Sequence, residues 1–355
     1  MLVSISDVAE KANVSVSTVS LVLNGKAEEM RISQETCNRV WRASLELGYI
    51  PNLAAKKLST GKGSRLPEVA FFWHLVHSSS FMISFFSEAQ DLFDEGKARE
   101  MRFVIEPFRE GQLKSVEELL TGGQYNGIIV PPVCDEDIDY INSLELRSPM
   151  LLLFGESEKH STVTVDNTKA GRKAAEIFAA SGRKNVAVIN HRDIKKEINI
   201  RKRTAGFMEA SAELGMSADI IEVQPKQIRG VGSIKTLAML GKTAAEEFLK
   251  RSKLPEAVFI QNDILAAGFV NAVVEAGVRV PEDLEIITFG DDVLQETCRP
   301  SLTSIQFPTA QFAREAIMIM SDILVNPFAA PVQKIIDPPV VFRQSCPRPE
   351  GYKES

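Results

Sequence analysis

The sequence predicts an α/β protein with an N-terminal helix-turn-helix headpiece, a short hinge, and a two-lobed body built on doubly wound parallel sheets. Three observations predict it. Two short amphipathic segments flank a turn at Ala12-Asn-Val-Ser15. Beyond Pro67, short apolar runs alternate with helical segments in two successive series. Charge divides along the same line: residues 1–65 hold nine Lys/Arg against six Asp/Glu, a surplus of +3, which leaves −9 for the rest of a chain whose net is −6. The expected bounds are 1–50 for the headpiece, 51–64 for the hinge, and 65–345 for the body. Within the body, a first lobe is expected over about 65–163 and 292–323, and a second over about 164–291 and 324–345.

Ser4 and Asp7 have the spacing of a capping box, in which a hydroxyl caps the helix start and a carboxylate three residues on reaches back to the cap amide. Val8, Ala9 and Ala12 then share a face that Val14, Val19 and Leu23 can close. Ser15 caps the second helix and leaves Val16, Ser17, Thr18 and Leu21 on its first exposed turns, the positions that face base edges in a helix-turn-helix. A third helix is expected over about Gln34–Leu47, capped by Ser33, packing through Val40, Trp41, Ala43, Ser44 and Leu47 and stopped by Gly48. Pro51 bars helix at Ile50, and Asn52 can cap the short run Leu53–Leu58. That run is too short to be stable alone, and it presents Ala54, Ala55 and Leu58 between Lys56 and Lys57.

In the body, strands are expected at Val69–Trp73, Arg102–Ile105, Gly127–Val130 and Met150–Phe154, then at Val186–Ile189, Asp219–Val223, Ala257–Ile260 and Leu284–Thr288. The helices between them include Phe85–Gly96, Lys169–Ala180, Ile200–Leu214, Ala244–Lys250 and Ile264–Ala276. Apolar strands alternating with helices imply parallel sheets covered on both faces, with ligands held beyond the carboxyl ends of the strands. Asp166 and Asp263 follow strands and precede helices, the position of an N-cap.

Composition excludes several classes. With 44% hydrophobic and 25% charged residues the chain is globular rather than disordered. The start Met-Leu-Val-Ser lacks the basic and apolar regions of a signal peptide, and no apolar run approaches roughly 18 residues, so a cytoplasmic protein without a membrane segment is expected. Cys37, Cys134, Cys298 and Cys346 lie apart with no ligand spacing, so no metal and no cofactor are expected. A phosphate loop, a dinucleotide fingerprint and a nucleophile elbow are all missing, which argues against an enzyme.

The segments Asp7-Val-Ala, Val14–Ser20, Val22-Leu-Asn-Gly25 and Leu47–Asn52, with Leu58, together resemble the headpiece and hinge of the LacI/GalR family of bacterial transcription regulators. The order of Val165-Asp-Asn167, Arg201–Phe207, Ile260–Asp263 and Phe289–Asp292 resembles that family's effector-binding core, itself similar to periplasmic sugar-binding proteins. The resemblance therefore spans nearly the whole chain. It implies a homodimer, with a tetramer as the larger alternative, that reads double-stranded operator DNA in the major groove while paired hinge helices wedge a leucine, here Leu58, into the minor groove. The DNA-contact set becomes Ser4, Ser15, Val16, Ser17, Thr18, Ser20, Leu21, Asn24, Asn52, Ala55, Lys56 and Leu58. The effector set becomes His74, Arg201, Arg203, Asn262 and Asp291, which suits a small carbohydrate or a nucleobase.

Two departures stand out. Relatives commonly carry arginine where this chain has Leu21, which cannot hydrogen-bond a base and instead suits a thymine methyl. Where relatives read Gly-Phe-Asp-Asp, this chain reads Phe289-Gly290-Asp-Asp. The expected function is a sequence-specific repressor controlled by a small-molecule effector bound between the lobes. The alternatives are a DNA-binding regulator controlled by a protein partner or by no ligand, and a solute-binding protein.

Overall fold

The computed structural model describes residues 4–23, 27, 30–47, 66–74, 79–108, 112–132, 134–190, 197–223, 234–290, 294–327 and 329–353. Three helices form the headpiece: α1 (Ile5–Ala12), α2 (Val16–Leu23) and α3 (Gln34–Leu47). Both halves of the capping box are present, with the Ser4 amide donating to Asp7 Oδ2 at 2.7 Å and the Asp7 amide to Ser4 Oγ at 3.4 Å. The Ser4 bonds hold the Asp7 carboxyl below its usual range. Asn13 ends α1 in the left-handed region at φ 51°, which asparagine tolerates better than most residues, and this turns the chain into α2. Val8, Ala9, Ala12, Val19, Val22, Val40 and Ala43 make the small core, with Val14, Leu23 and Leu47 packed at its edge. Ser4→Ala should cost about 1 kcal/mol of α1 stability; faster amide exchange confined to α1 in the full chain is the expected signature, and unchanged exchange there would refute it.

The body contains two six-stranded sheets. The first comprises β1 (Glu68–His74), β2 (Arg102–Phe108), β3 (Gly127–Val130), β4 (Met150–Leu153), β5 (Ser161–Val165) and β11 (Gln333–Ile336), in the order β11-β5-β4-β3-β1-β2, all parallel. The second comprises β6 (Asn185–Asn190), β7 (Ser217–Glu222), β8 (Ala257–Ile260), β9 (Glu285–Gly290), β10 (Thr303–Gln306) and β12 (Val340–Val341). Its order is β12-β10-β9-β8-β6-β7, parallel except for β12 against β10. Sheet order reverses about the first strand in each, the doubly wound arrangement. The strands β2 and β7 occupy edges, so Pro107 within β2 removes no central hydrogen bond.

Helices cover both faces of each sheet. In the first lobe, α4 (Ser79–Asp94) and α12 (Thr309–Val325) bury one face around Phe71, Phe85, Phe312 and Met320. The opposite face is closed by Leu113, Leu120 of α5 (Glu117–Thr121) and Ile141 of α6 (Asp135–Ser143). In the second lobe, α7 (Asn167–Ala180) and α8 (Ile198–Glu213) lie over one face, and α9 (Ile234–Leu249) and α10 (Asp263–Glu275) over the other. A short α11 (Leu294–Thr297) precedes β10.

The expected lobe boundaries need correction. Strand β10 lies in the second sheet and β11 in the first, so the chain crosses between lobes at 165–167, 306–309 and 336–340 rather than near 163, 291 and 323. Ladder pairing decides this, with Thr303–Gln306 running alongside Ile287–Gly290 and Gln333–Ile336 alongside Thr162–Val165. Helices α4, α7, α8 and α9 begin earlier than expected, at Ser79, Asn167, Ile198 and Ile234. Among the described residues no helix is long and apolar enough to cross a membrane, and all four cysteines are buried free thiols.

Candidate functional site

On the headpiece, Ser15 caps α2, since its Oγ accepts from the Thr18 amide at 3.0 Å. The same oxygen lies 2.7 Å from Ser17 Oγ and 2.8 Å from Thr18 Oγ1, so three hydroxyls cluster at the start of α2. Val16 and Ser17 are exposed, while Thr18, Ser20 and Leu21 are half-buried. Helix α2 therefore offers a first turn of small polar and apolar side chains at its N-terminus, where backbone amides point outward and favour phosphate oxygens. Ser4 is exposed at the start of α1. Asn24, and the hinge positions Asn52, Ala55, Lys56 and Leu58, lie outside the described residues, and nothing of the Trp41 side chain is described.

In the body, the carboxyl ends of the two sheets face one another. Asp135 follows β3 and Glu156 follows β4 in the first lobe, and they pair with Arg201 (2.8 Å) and with Lys202 on the first turns of α8 in the second. Arg201, expected among effector contacts, is thus placed at the rim, bonded across to Asp135.

Deeper in lies Arg203, only 7% exposed. Its Nε donates to Gln261 Oε1 at 2.9 Å and its Nη1 to Asn167 Oδ1 at 2.6 Å. The guanidinium lies over the Phe289 ring, with Cζ 4.1 Å from the centroid. Burial pushes Arg203 down to about 9, partly offset by the charge of Glu197, so it stays protonated at neutral pH. Gln261 in turn donates to Asn190 and, at 2.7 Å, to Thr204 Oγ1, while Asn167 Nδ2 donates to Asn199 Oδ1 at 2.9 Å. The result is a buried polar cluster at the ends of β6 and β8 and the start of α7.

Helix starts explain part of the placement. Asp166 caps α7, as expected, by accepting from the Lys169 amide at 2.8 Å. At α10 the expectation for Asp263 is corrected: Asn262 is the cap, its Oδ1 accepting from the Leu265 amide at 2.9 Å, and Asp263 is the first helical residue. The carbonyl of Asn262, an expected effector contact, is therefore engaged by its own helix. Asp263 is buried instead against Gly290, where a Cβ would lie 2.2 Å from Asp263 Oδ2 with φ at 151°. A side chain at 290 would collide with Asp263, so glycine stands there, next to the Phe289 ring that lies under Arg203. His74 closes β1 at the same carboxyl edge, and Asp291 lies outside the described residues.

The residues that sequence reasoning missed are Asn167, Asn190 and Gln261. Asn190 and Gln261 each stand at a strand end immediately after an apolar run, which is the usable signal, whereas Asn167 follows the cap Asp166 at the start of α7.

Comparisons with known proteins agree with this geometry. Residues 4–52 match the model of bacterial regulatory proteins of the lacI family, and residues 175–346 match that of the periplasmic binding protein-like domain. Catabolite control protein A of Priestia megaterium is 26% identical over 333 residues, covering 90% of this chain and 92% of that protein. The HTH-type transcriptional repressor CytR of Escherichia coli strain K12 is 26% identical over 351 residues, covering 96% of each. A crystal structure of the Lac repressor dimer bound to operator and the anti-inducer ONPF superimposes with a TM-score of 0.67 at 21% identity, covering 98% of this chain and all of that one.

Proposed function

Because the chain belongs to the LacI/GalR family of bacterial transcription regulators, we propose that it is a dimeric repressor. It binds operator DNA through the headpiece and is controlled by a small carbohydrate-type effector held between the lobes. The observation that carries this reading is the pairing of two features in one chain: a capped helix-turn-helix with an open α2 N-terminus, and a buried Arg203 cluster where the carboxyl ends of two sheets face each other. The CytR relative is a transcriptional repressor, and the Lac repressor structure holds DNA and a small molecule at once, which supports both halves of the reading. These relatives are regulators, and the chain is read as a non-enzyme.

The headpiece (1–50) supplies Ser4, Ser15, Val16, Ser17, Thr18, Ser20, Leu21 and Asn24 to the major groove. The hinge (51–64) supplies Asn52, Ala55, Lys56 and Leu58 to the minor groove. Arg203, with Asn262 and Asp291, brackets the effector, and His74 and Arg201 lie at the rim. Effector binding alters DNA affinity only to the extent that it prefers one lobe arrangement over another.

Deletion of residues 1–60 tests the assignment. Footprinting should show specific DNA protection with the full chain and none with the deletion, while the thermal unfolding of the body is preserved. Specific protection by the truncated chain would refute it.

A further inference from the structure

Two ion pairs join the lobes at the rim, and their placement makes them one device. Arg201 and Lys202 are consecutive residues near the start of α8 in the second lobe. In the first lobe, both oxygens of Asp135 lie within reach of Arg201 Nη2, at 2.8 and 3.1 Å, and Glu156 pairs with Lys202 Nζ. Asp135 opens α6, and Glu156 lies on the strap that follows β4. That strap is tied to the far end of the same helix, where Ser157 Oγ donates to Asn142 Oδ1 at 2.8 Å and Lys159 Nζ to the Asn142 carbonyl at 2.9 Å. It is also pressed onto the segment after β3, since a Cβ at Gly155 would lie 2.6 Å from the Pro132 ring. Both acids therefore ride on one rigid unit and both bases on another. An ion pair between exposed side chains is weak alone and is screened by salt. Two pairs between rigid units reinforce each other, because closing the first holds the groups of the second at high effective concentration.

We propose that Asp135 with Arg201, and Glu156 with Lys202, form an electrostatic latch that opens and closes as a unit and holds the two lobes in this arrangement. Both bonds run from protein to protein, so the latch sets a preference among lobe arrangements that any effector has to outweigh or reinforce. Arg201 is then a positioning residue of the lobes rather than a contact to the effector. This inference rests on the reading of lobe orientation as the control of DNA binding, and its test separates the two.

The test treats the full chain with a water-soluble carbodiimide, which condenses a touching carboxylate and amine into an amide and takes up the released water as its urea. Mass spectrometry then measures the Glu156–Lys202 product against that of Glu315 and Lys334, an ion pair of 2.7 Å within the first lobe. Asp135→Lys alters neither member of the reporting pair, yet it should lower this ratio about threefold or more, because it replaces one attraction by a repulsion of Arg201. The charge-swapped double variant Asp135→Lys/Arg201→Asp should restore the ratio. All four side chains of the latch are partly exposed, so these substitutions leave the cores of both lobes intact. A ratio unchanged by Asp135→Lys, a swap that fails to restore it, or the absence of the Glu156–Lys202 product in the parent overturns the latch. Footprinting of the same three proteins tests the reading beneath it: a latch that breaks and is restored while DNA protection stays identical would leave the latch standing and refute lobe orientation as the control of DNA binding.

Discussion

Replacing Gly206 by alanine is expected to destabilise the second lobe by about 3 kcal/mol, the upper part of the usual range for overpacking, even though alanine is the better helix former by about 1 kcal/mol. Sterics outweigh propensity here because α7 and α8 meet backbone to backbone. A Cβ at 206 would sit 2.0 Å from the Thr168 carbonyl oxygen, and one at Gly171 would sit 1.9 Å from that of Arg203. Neither neighbour is the end of a flexible side chain, so one helix has to lift from the other. The same close approach brings Arg203 within 2.6 Å of Asn167, so the substitution should also loosen that hydrogen bond. Gly215 provides the contrast. It has φ at 70° with nothing within 4 Å, so alanine there meets only the left-handed penalty of roughly 1–2 kcal/mol. Urea unfolding of the three single variants and of the Gly171→Ala/Gly206→Ala pair checks this. The double variant should be less destabilised than the sum of the singles, because one displacement makes room for both methyl groups. Strict additivity, or a Gly206→Ala protein as stable as the parent, would refute the contact.

This contact also marks how far the sequence was legible. The helix signals at 198–213 were plain, but the reason for glycine inside a helix was not. A clue is present in the chain, since Ala205-Gly206-Phe207 in α8 is matched by Ala267-Gly268-Phe269 in α10. A Cβ at Gly268 would lie 2.1 Å from the Ala238 carbonyl oxygen of α9, and one at Gly241 2.1 Å from that of Leu265 in α10, so the two helix pairs use one device.

Strands were legible where they are apolar on both faces, as in Ile128–Val130 or Val258–Ile260, and illegible where hydroxyls stand in for methyls. Strand β5, Ser161–Val165, is buried at every position, with Thr162 donating to Gln333. In β10, Thr303 is wholly buried with its hydroxyl donating to the Cys346 carbonyl. A Thr-Val or Thr-Ser alternation reads as a half-exposed strand or a loop unless the partner that satisfies the hydroxyl is known, and both partners come from the C-terminal stretch, more than 40 residues away. That is why the lobe boundaries at β10 and β11 could not be read locally. At the proposed effector site Arg203 stands in a motif visible in the sequence, whereas its neutral partners Gln261, Asn190 and Asn167 were hidden because an amide side chain does not by itself mark a polar cluster.

The second large effect is a pH dependence centred on His160. Its ring is buried just before β5, with Nε2 lacking a hydrogen-bond partner among the described residues. Burial and then the charge of Lys159 push it down to about 4, against an opposing hydrogen bond to the Ile141 backbone. Lys159 cannot turn away cheaply, because its Nζ donates to the carbonyls of Asn142 and Leu144 at 2.9 Å each, at the end of α6. In the folded state the imidazole therefore stays neutral down to about pH 4, whereas in the unfolded chain it takes a proton below 6.5. Between those values the unfolded state binds more protons, so stability falls as pH falls through that window, by about 3 kcal/mol in all. Above 6.5 and below about 4 this group adds no further slope. His160→Gln should flatten the difference in urea midpoints between pH 7 and pH 4.5 relative to the parent, and an identical pH dependence in the two proteins would overturn the assignment. The segment that ends at His160 also carries Glu156, which pairs across the lobes with Lys202, and Gln333 of β11 donates to the His160 carbonyl at 3.0 Å. Acid that strains this strap therefore acts where one lobe is fastened to the other, and amide exchange should quicken at 155–165 before it does in α7 or α8.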